Sequence, residues 1–285
     1  MQPVPPSTPP GGASPLLRIA NLSVTYGAFG QHAVPALRNI SLDIHAGEII
    51  GILGESGCGK STLASSLLRM LSADSTIEGS VLLQGNNILG LNKQELRNIR
   101  GAKIALIHQE PGLSLSPVMC VGDQISEVIR AHLRLDRKER RRKVSEVLSE
   151  VRLSEMDRIY RAYPHQLSGG ELHRVAIAQA LACRPDLVIA DESTRSLDLK
   201  TQTEILELLA AVNHKFGTAI LFITHNPALL AGFAQRVVVM HDGCIVEEGN
   251  SKEVFRHPLH PYTADLLKLV PRSFVLTPRM SELSL

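Results

Sequence analysis

EIIGILGESGCGKSTLASSLLRML, Glu48 to Leu71, decides the reading of the chain. EIIGIL (Glu48 to Leu53) reads as a buried strand, GESGCGKST is a glycine-rich turn, and STLASSLLRML continues as a helix. The turn fits G-x-x-x-x-G-K-[ST] at Gly54, Gly59, Lys60 and Ser61, between a strand and a helix as its mechanism requires. The glycines let the backbone approach phosphates, and the N–H groups of the loop and helix start point at the anion. Lys60 adds a point charge for the β- and γ-phosphates, and the Ser61 hydroxyl suits Mg²⁺. Each charge-assisted hydrogen bond is worth about 1.5–3 kcal/mol, so several together dominate affinity. The nucleotide-binding set is therefore Gly54, Glu55, Ser56, Gly57, Cys58, Gly59, Lys60, Ser61 and Thr62. A dinucleotide fold would need G-x-G-x-x-G, which GESGCG does not supply.

A nucleoside-triphosphate site needs a carboxylate for the metal, and LVIADE supplies one. Asp191 ends an apolar strand and is placed for Mg²⁺; Glu192, one residue on, is placed to polarise the attacking water. Between these two motifs the chain alternates strand-like and helix-like stretches, which argues an α/β core. LLRIANLSVTY, NISLDI, EGSVLLQ, KIALIH, AILFI and RVVVMHDGCIVEEG read as strands. VGDQISEVIRAHLRLDRKERRRKVSEVLSEVRL has helical spacing and no turn punctuation, so it reads as an all-helical insert. Residues 1–15, rich in Pro, Gly and Ser, read as a disordered leader.

Composition narrows the class. The chain has 285 residues, 44% hydrophobic and 20% charged, which is ordinary for a globular protein. A net charge of +2 is too small to make nucleic acid the main partner. RLDRKERRRK (Arg134 to Lys143) is basic but has no interleaved aromatics, so it reads as a solvated helix face. Four scattered cysteines form no CxxC pair, and no apolar run approaches the roughly 20 residues that span a bilayer. A membrane role would come through a partner.

A second phosphate-type turn then stands out. LSGGE, with Ser168, Gly169, Gly170 and Glu171, opens the helix ELHRVAIAQALAC upstream of the Asp191 strand. Its N–H and hydroxyl donors suit a phosphate at a helix start. One P-loop has no use for a second donor set; two copies packed head to tail do.

With these residues in hand, the chain after residue 15 resembles the nucleotide-binding subunits of ABC transporters. The resemblance implies an ABC ATPase fold: a P-loop NTPase core with an antiparallel β-subdomain and an inserted all-helical subdomain. It implies that the signature, Ser168 to Glu171, caps the γ-phosphate in a partner subunit. It makes Tyr26 the aromatic stacked on adenine, and Gln109 a glutamine that touches Mg²⁺ and senses the membrane subunit. Ser196, Leu197 and Asp198 resemble the D-loop, and His225 the switch histidine on the γ-phosphate. Tyr26, Gln109 or His225 alone would read as packing or surface groups; their joint order with the P-loop, signature and Asp191–Glu192 carries the likeness.

HQEPGLSLSPVMCVGDQI and HPLHPYTADLLKLVP (His257 to Pro271) further resemble oligopeptide and dipeptide importer ATPases, a subfamily that also handles nickel. The implied protein hydrolyses ATP with Mg²⁺, pairs with an identical or paralogous ATPase subunit, and drives a transmembrane permease. An extracytoplasmic solute-binding protein is served indirectly, and the place is the cytoplasmic face of the inner membrane, peripherally. A differently specific or non-transport complex is the alternative. The expected layout is a domain over 16–255, its helical part about 115–170, and an extension over 256–285. No cysteine follows Cys244, so no cluster-holding tail is expected.

Leu172 and His173 replace more polar residues usual in the family, and Ser193 replaces a proline. Altered rates rather than a dead site are expected. A stacking aromatic does not read a base's edge, so weak discrimination between ATP and GTP is expected, and a thiol reagent at Cys58 is expected to block ATP. A single P-loop and signature argue against a two-cassette ribosomal ATPase. The short stretch from Gln109 to Ser168 argues against a chromosome-maintenance ATPase, and LSGGE against a P-loop kinase.

Overall fold

The structure is a computed structural model that describes residues 14–27, 33–194 and 197–268. The expected leader lies outside the described residues except for 14 and 15, and the extension is described only to 268. The chain divides into two compact units, 14–92 with 219–268 and 93–218.

In the first unit, β1 (Leu17–Tyr26) pairs antiparallel with β2 (Val34–Ile44) on one side and β4 (Thr76–Leu83) on the other. The short β5 (Asn86–Asn87) closes the order β2–β1–β4–β5. β1 alternates: Leu17, Ile19, Leu22 and Val24 are buried, while Arg18 and Asn21 face out. One face on a core and one in water is the antiparallel signature. β3 (Ile49–Leu53) behaves differently, with all five residues buried. It runs parallel to β8 (Ala219–Thr224) and to β9 (Arg236–His241), and β10 (Cys244–Asn250) pairs antiparallel with β9. Strands covered on both faces read as unbroken apolar runs, which is why EIIGIL and AILFI look as they do. Helices α1 (Lys60–Leu67), α9 (Pro227–Leu230), α10 (Ser251–Arg256) and α11 (Pro261–Lys268) complete the unit.

Arg236 ties its two sheets together. Its guanidinium grips Glu48 with two bonds of 2.7 and 3.0 Å, and also meets Glu248 and the Asp43 carbonyl of β2. The three side chains are 15%, 14% and 8% exposed, so this is a largely desolvated cluster.

The second unit pairs β6 (Ile104–Ile107) in parallel with β7 (Leu187–Asp191), with α2 (Lys93–Ile99) ahead of them. After α3 (Pro111–Ser114) come α4 (Val121–His132), α5 (Arg137–Glu150) and α6 (Met156–Arg161), then α7 (Gly169–Leu181) and α8 (Leu199–Phe216). Val121, Ile125, Ile129, Val144, Val147, Leu148 and Ile159 form the wholly buried seam of α4 to α6. The stretch that lacked turn punctuation does break, at 133–136. Asp136 accepts the Glu139 N–H at 2.8 Å and the Glu139 carboxylate accepts the Asp136 N–H at 2.8 Å. That D-x-x-E capping box was the stop-and-start signal in the sequence. No helix among the described residues is long and apolar enough to cross a membrane.

Candidate functional site

In the first unit, β3 ends at Leu53, the loop occupies Gly54 to Gly59, and α1 begins at Lys60. Two glycines are demanded by close approach. A Cβ on Gly54 would strike the Met240 carbonyl oxygen and lie 2.7 Å from Cys58 Sγ. Gly59 has φ +106°, and a Cβ there would lie 2.6 Å from the Ala36 carbonyl oxygen. The loop therefore wraps tightly against β2 and β9, with Glu55, Ser56 and Gly57 exposed at its tip.

Lys60 is 4% exposed. Its ammonium donates to the Gly54 and Glu55 carbonyls at 2.8 and 2.7 Å, inside the ring its own loop forms. Cys58 Sγ lies 3.7 Å from the same nitrogen. Burial pushes the Cys58 thiol up, although the Lys60 charge pulls it down. A buried thiol with a raised pKa is a poor nucleophile, so a reagent at Cys58 is expected to react slowly in this shape of the loop. Ser61 is exposed in the first turn of α1, and Thr62 Oγ1 takes a 3.3 Å bond from the Tyr26 hydroxyl.

Leu53 and Thr224 are register partners on parallel strands, so Gly54 and His225 both stand one residue past a strand's carboxyl end. The Asn226 N–H bonds Thr224 Oγ1 at 3.0 Å, and the Asn226 side chain caps α9; the turn so made leaves His225 exposed. Ligands of open α/β sheets collect at that end.

The second unit repeats the arrangement. Ile107 partners Ala190, so Gln109 and Glu192 each lie two residues past the paired residues of parallel strands. Glu192 has φ +44°, a left-handed conformation for a residue with a side chain. Such backbone costs of order 1–3 kcal/mol and clusters at functional positions. Beside it Ser193 is 2% exposed with no hydrogen-bond partner for Oγ among the described residues. Where the family resemblance expects a proline, this chain thus buries a hydroxyl that is unpartnered among the described residues.

Ser168 caps α7. Its Oγ accepts the Glu171 N–H at 3.3 Å, while its own N–H and Oγ–H donate to Glu171 Oε2 at 2.9 and 3.0 Å. Arg158 holds the same carboxylate and pairs with Glu155 at 2.6 Å. The Ser168 N–H, then Arg158, hold the Glu171 carboxyl below its ordinary value. The glycines between are not required by this chain's packing. A Cβ on Gly169 would meet nothing within 4 Å, and one on Gly170 only a Thr201 methyl at 3.9 Å. His173 is buried with Nδ1 2.9 Å from the Gly169 carbonyl. Asp198 caps α8 through the Thr201 N–H at 3.1 Å and Thr201 Oγ1 at 2.7 Å, which hold its carboxyl low. Ser196 of the expected D-loop lies outside the described residues.

The first unit thus brings together Tyr26, the loop from Gly54 to Thr62 and His225; the second brings together Gln109, Asp191 and Glu192, and separately Ser168 to Glu171 with Arg158. The structure adds Tyr262, whose phenol oxygen accepts the Glu55 N–H at 3.1 Å. Nothing in the spacing of HPLHPY pointed to the loop. In the first unit Ser61 offers a hydroxyl oxygen, and in the second Asp191 and Gln109 offer a carboxylate and an amide oxygen; within each unit these are hard donors of the kind that suits Mg²⁺ and not a soft metal.

Known proteins resemble this chain in sequence and in fold. The family model described as ABC transporter matches residues 37–195. The oligopeptide transport ATP-binding protein OppD of Escherichia coli is 41% identical over 260 residues, covering 91% of this chain and 77% of that one. The dipeptide transport ATP-binding protein DppD of Bacillus subtilis is 40% identical over 259 residues, covering 90% and 77%. Among solved structures, an ATP-binding cassette in a dimeric, post-hydrolysis state with ADP and Pi bound superposes with a TM-score of 0.73. It is 32% identical and is matched over 82% of this chain and 98% of that one.

Proposed function

The chain belongs to the ABC transporter family, and on that premise we propose that it is the ATP-binding, ATP-hydrolysing subunit of a membrane importer for peptides or related small solutes. The solute class follows the relatives that carry oligopeptides and dipeptides. One observation supports the paired mechanism above all: beside a complete P-loop, the chain carries a second donor set whose glycine at 169 faces open space. Such a turn suits a γ-phosphate brought by a neighbouring subunit.

The proposed roles follow from each residue's chemistry. Lys60 exchanges its loop carbonyls for phosphate oxygens, and the N–H groups of the loop and of α1 hold the anion. Ser61, Asp191 and Gln109 are the groups that would hold Mg²⁺, which supplies charge neutralisation on the β- and γ-phosphates. Glu192 polarises the attacking water, and His225 contacts the γ-phosphate. Tyr26 offers its ring to adenine. Ser168, Gly169 and Gly170 act in trans, which requires Glu171 to yield the Ser168 hydroxyl. Asp198 belongs to the seam between the two subunits.

The partners proposed with it are a second ATPase subunit, identical or paralogous, a transmembrane permease and, indirectly, an extracytoplasmic solute-binding protein. Its place is the cytoplasmic face of the inner membrane, peripherally, with the domain limits expected from the sequence. Glu192→Gln tests the reading in the subunit purified with its membrane partner. ATP turnover is expected to fall at least a hundredfold, on the order of 10²–10⁴ for a lost general base, with ATP binding retained. Wild-type turnover no higher than that of the variant rejects it.

A further inference from the structure

HPLHPYTADLLK, His257 to Lys268, docks on the first unit by a definite route. Glu247 of β10 is 5% exposed, and its two oxygens accept the Leu259 and His260 N–H groups at 2.9 and 3.0 Å. A buried carboxylate satisfied by consecutive backbone donors fixes the chain direction at that point. His260 Nδ1 then accepts the Tyr262 N–H at 3.2 Å, and α11 starts. This delivers the Tyr262 ring onto His241, the last residue of β9, with centroids 4.0 Å apart and planes at 29°. From that seat the phenol oxygen reaches the Glu55 N–H at 3.1 Å.

Glu55 is held from two sides. Its carbonyl takes the Lys60 ammonium at 2.7 Å and the Cys58 N–H at 3.3 Å, while its N–H goes to Tyr262. The ammonium bond is the one that phosphate oxygens compete for; the Tyr262 bond takes up the Glu55 N–H, so that one donor of the loop anchors the loop and the donors farther round are left for the anion. We infer that Tyr262 is a positioning residue of the nucleotide site: it pegs the mouth of the P-loop in its binding shape while Lys60 changes partners. The segment 257–268 thereby becomes part of the nucleotide-binding machinery. This rests on the ATP reading proposed above. A loop without the peg populates its binding shape less of the time, and apparent affinity falls by that fraction.

Tyr262→Phe keeps the ring on His241 and deletes the hydroxyl alone. In the full chain, the Kd for Mg-ATP is expected to rise about two- to fivefold, in line with one partly exposed hydrogen bond, while the melting temperature without nucleotide stays put. With the membrane subunits, KM for ATP rises by the same factor and kcat at saturation does not change. Lys60→Ala, which removes the charged group itself, is the control and is expected to abolish binding. Wild-type affinity in Tyr262→Phe, with binding lost in Lys60→Ala, overturns the inference and leaves the ATP reading standing. So does an affinity loss matched by a lower melting temperature, because that marks a merely structural tyrosine. Wild-type affinity in Lys60→Ala sinks the ATP reading, and the inference with it.

Discussion

Ser193 follows a strained Glu192 and spends a buried hydroxyl on no partner among the described residues. An unmade buried hydrogen bond carries a desolvation penalty with nothing to offset it. Ser193→Ala is therefore expected to stabilise, by up to about 1 kcal/mol, read as a higher urea midpoint at unchanged slope. A lower midpoint means the hydroxyl has a partner after all. Legibility at this scale was uneven. The P-loop and the Asp191–Glu192 pair could be placed in the sequence because each follows an apolar, strand-like run, whereas His225 stood out only through the family resemblance. The grip of Glu171 on Ser168 follows from S-x-x-E, a capping box, but Arg158 and Tyr262 reach their partners across folds of the chain, and no local pattern encodes that.

At the scale of elements, α7 carries a pH-sensitive residue beside its signature turn. His173 donates Nδ1–H to the Gly169 carbonyl, and its buried Nε2 has no partner among the described residues. Protonation would bury an unpaired charge, so burial lowers its pKa from 6.5, with the Gly169 carbonyl opposing. Both folded and unfolded chains are neutral at this ring above pH 6.5. Below it the unfolded chain takes the proton first, so stability falls as pH drops toward the lowered value. Melting temperatures between pH 7.5 and 5.5 are expected to decline less steeply in His173→Gln than in wild type. His132, lowered chiefly by its own burial, contributes equally to both and cancels. Parallel slopes would show that the ring reaches water. Elements were legible where burial is two-sided, as in EIIGIL. The α4–α5 break was missed because helical spacing runs straight through Asp136.

Over the whole molecule, the apolar core of the first unit is pinned at one charged point, Arg236, which gathers Glu48, Glu248 and the Asp43 carbonyl from both its sheets. Removing the one cation of a buried ion cluster takes from its carboxylates the opposite charge that offsets their burial. Arg236→Met is expected to cost about 3 kcal/mol by urea unfolding, and adding Glu48→Gln and Glu248→Gln to restore part of it. An unchanged midpoint in the single variant would mean the carboxylates find water instead. The fold class was legible because strands alternate with helices around one glycine-rich turn. The proposed pairing with a second ATPase subunit rests, in the sequence, on one chain carrying two phosphate-type turns. A last consequence belongs to Cys58, buried within the loop, where that burial pushes its thiol up. Alkylation there is expected to be slow in the folded chain, and any faster rate would count the moments at which the loop uncovers the sulfur, a clock wound into the native chain with no dye attached.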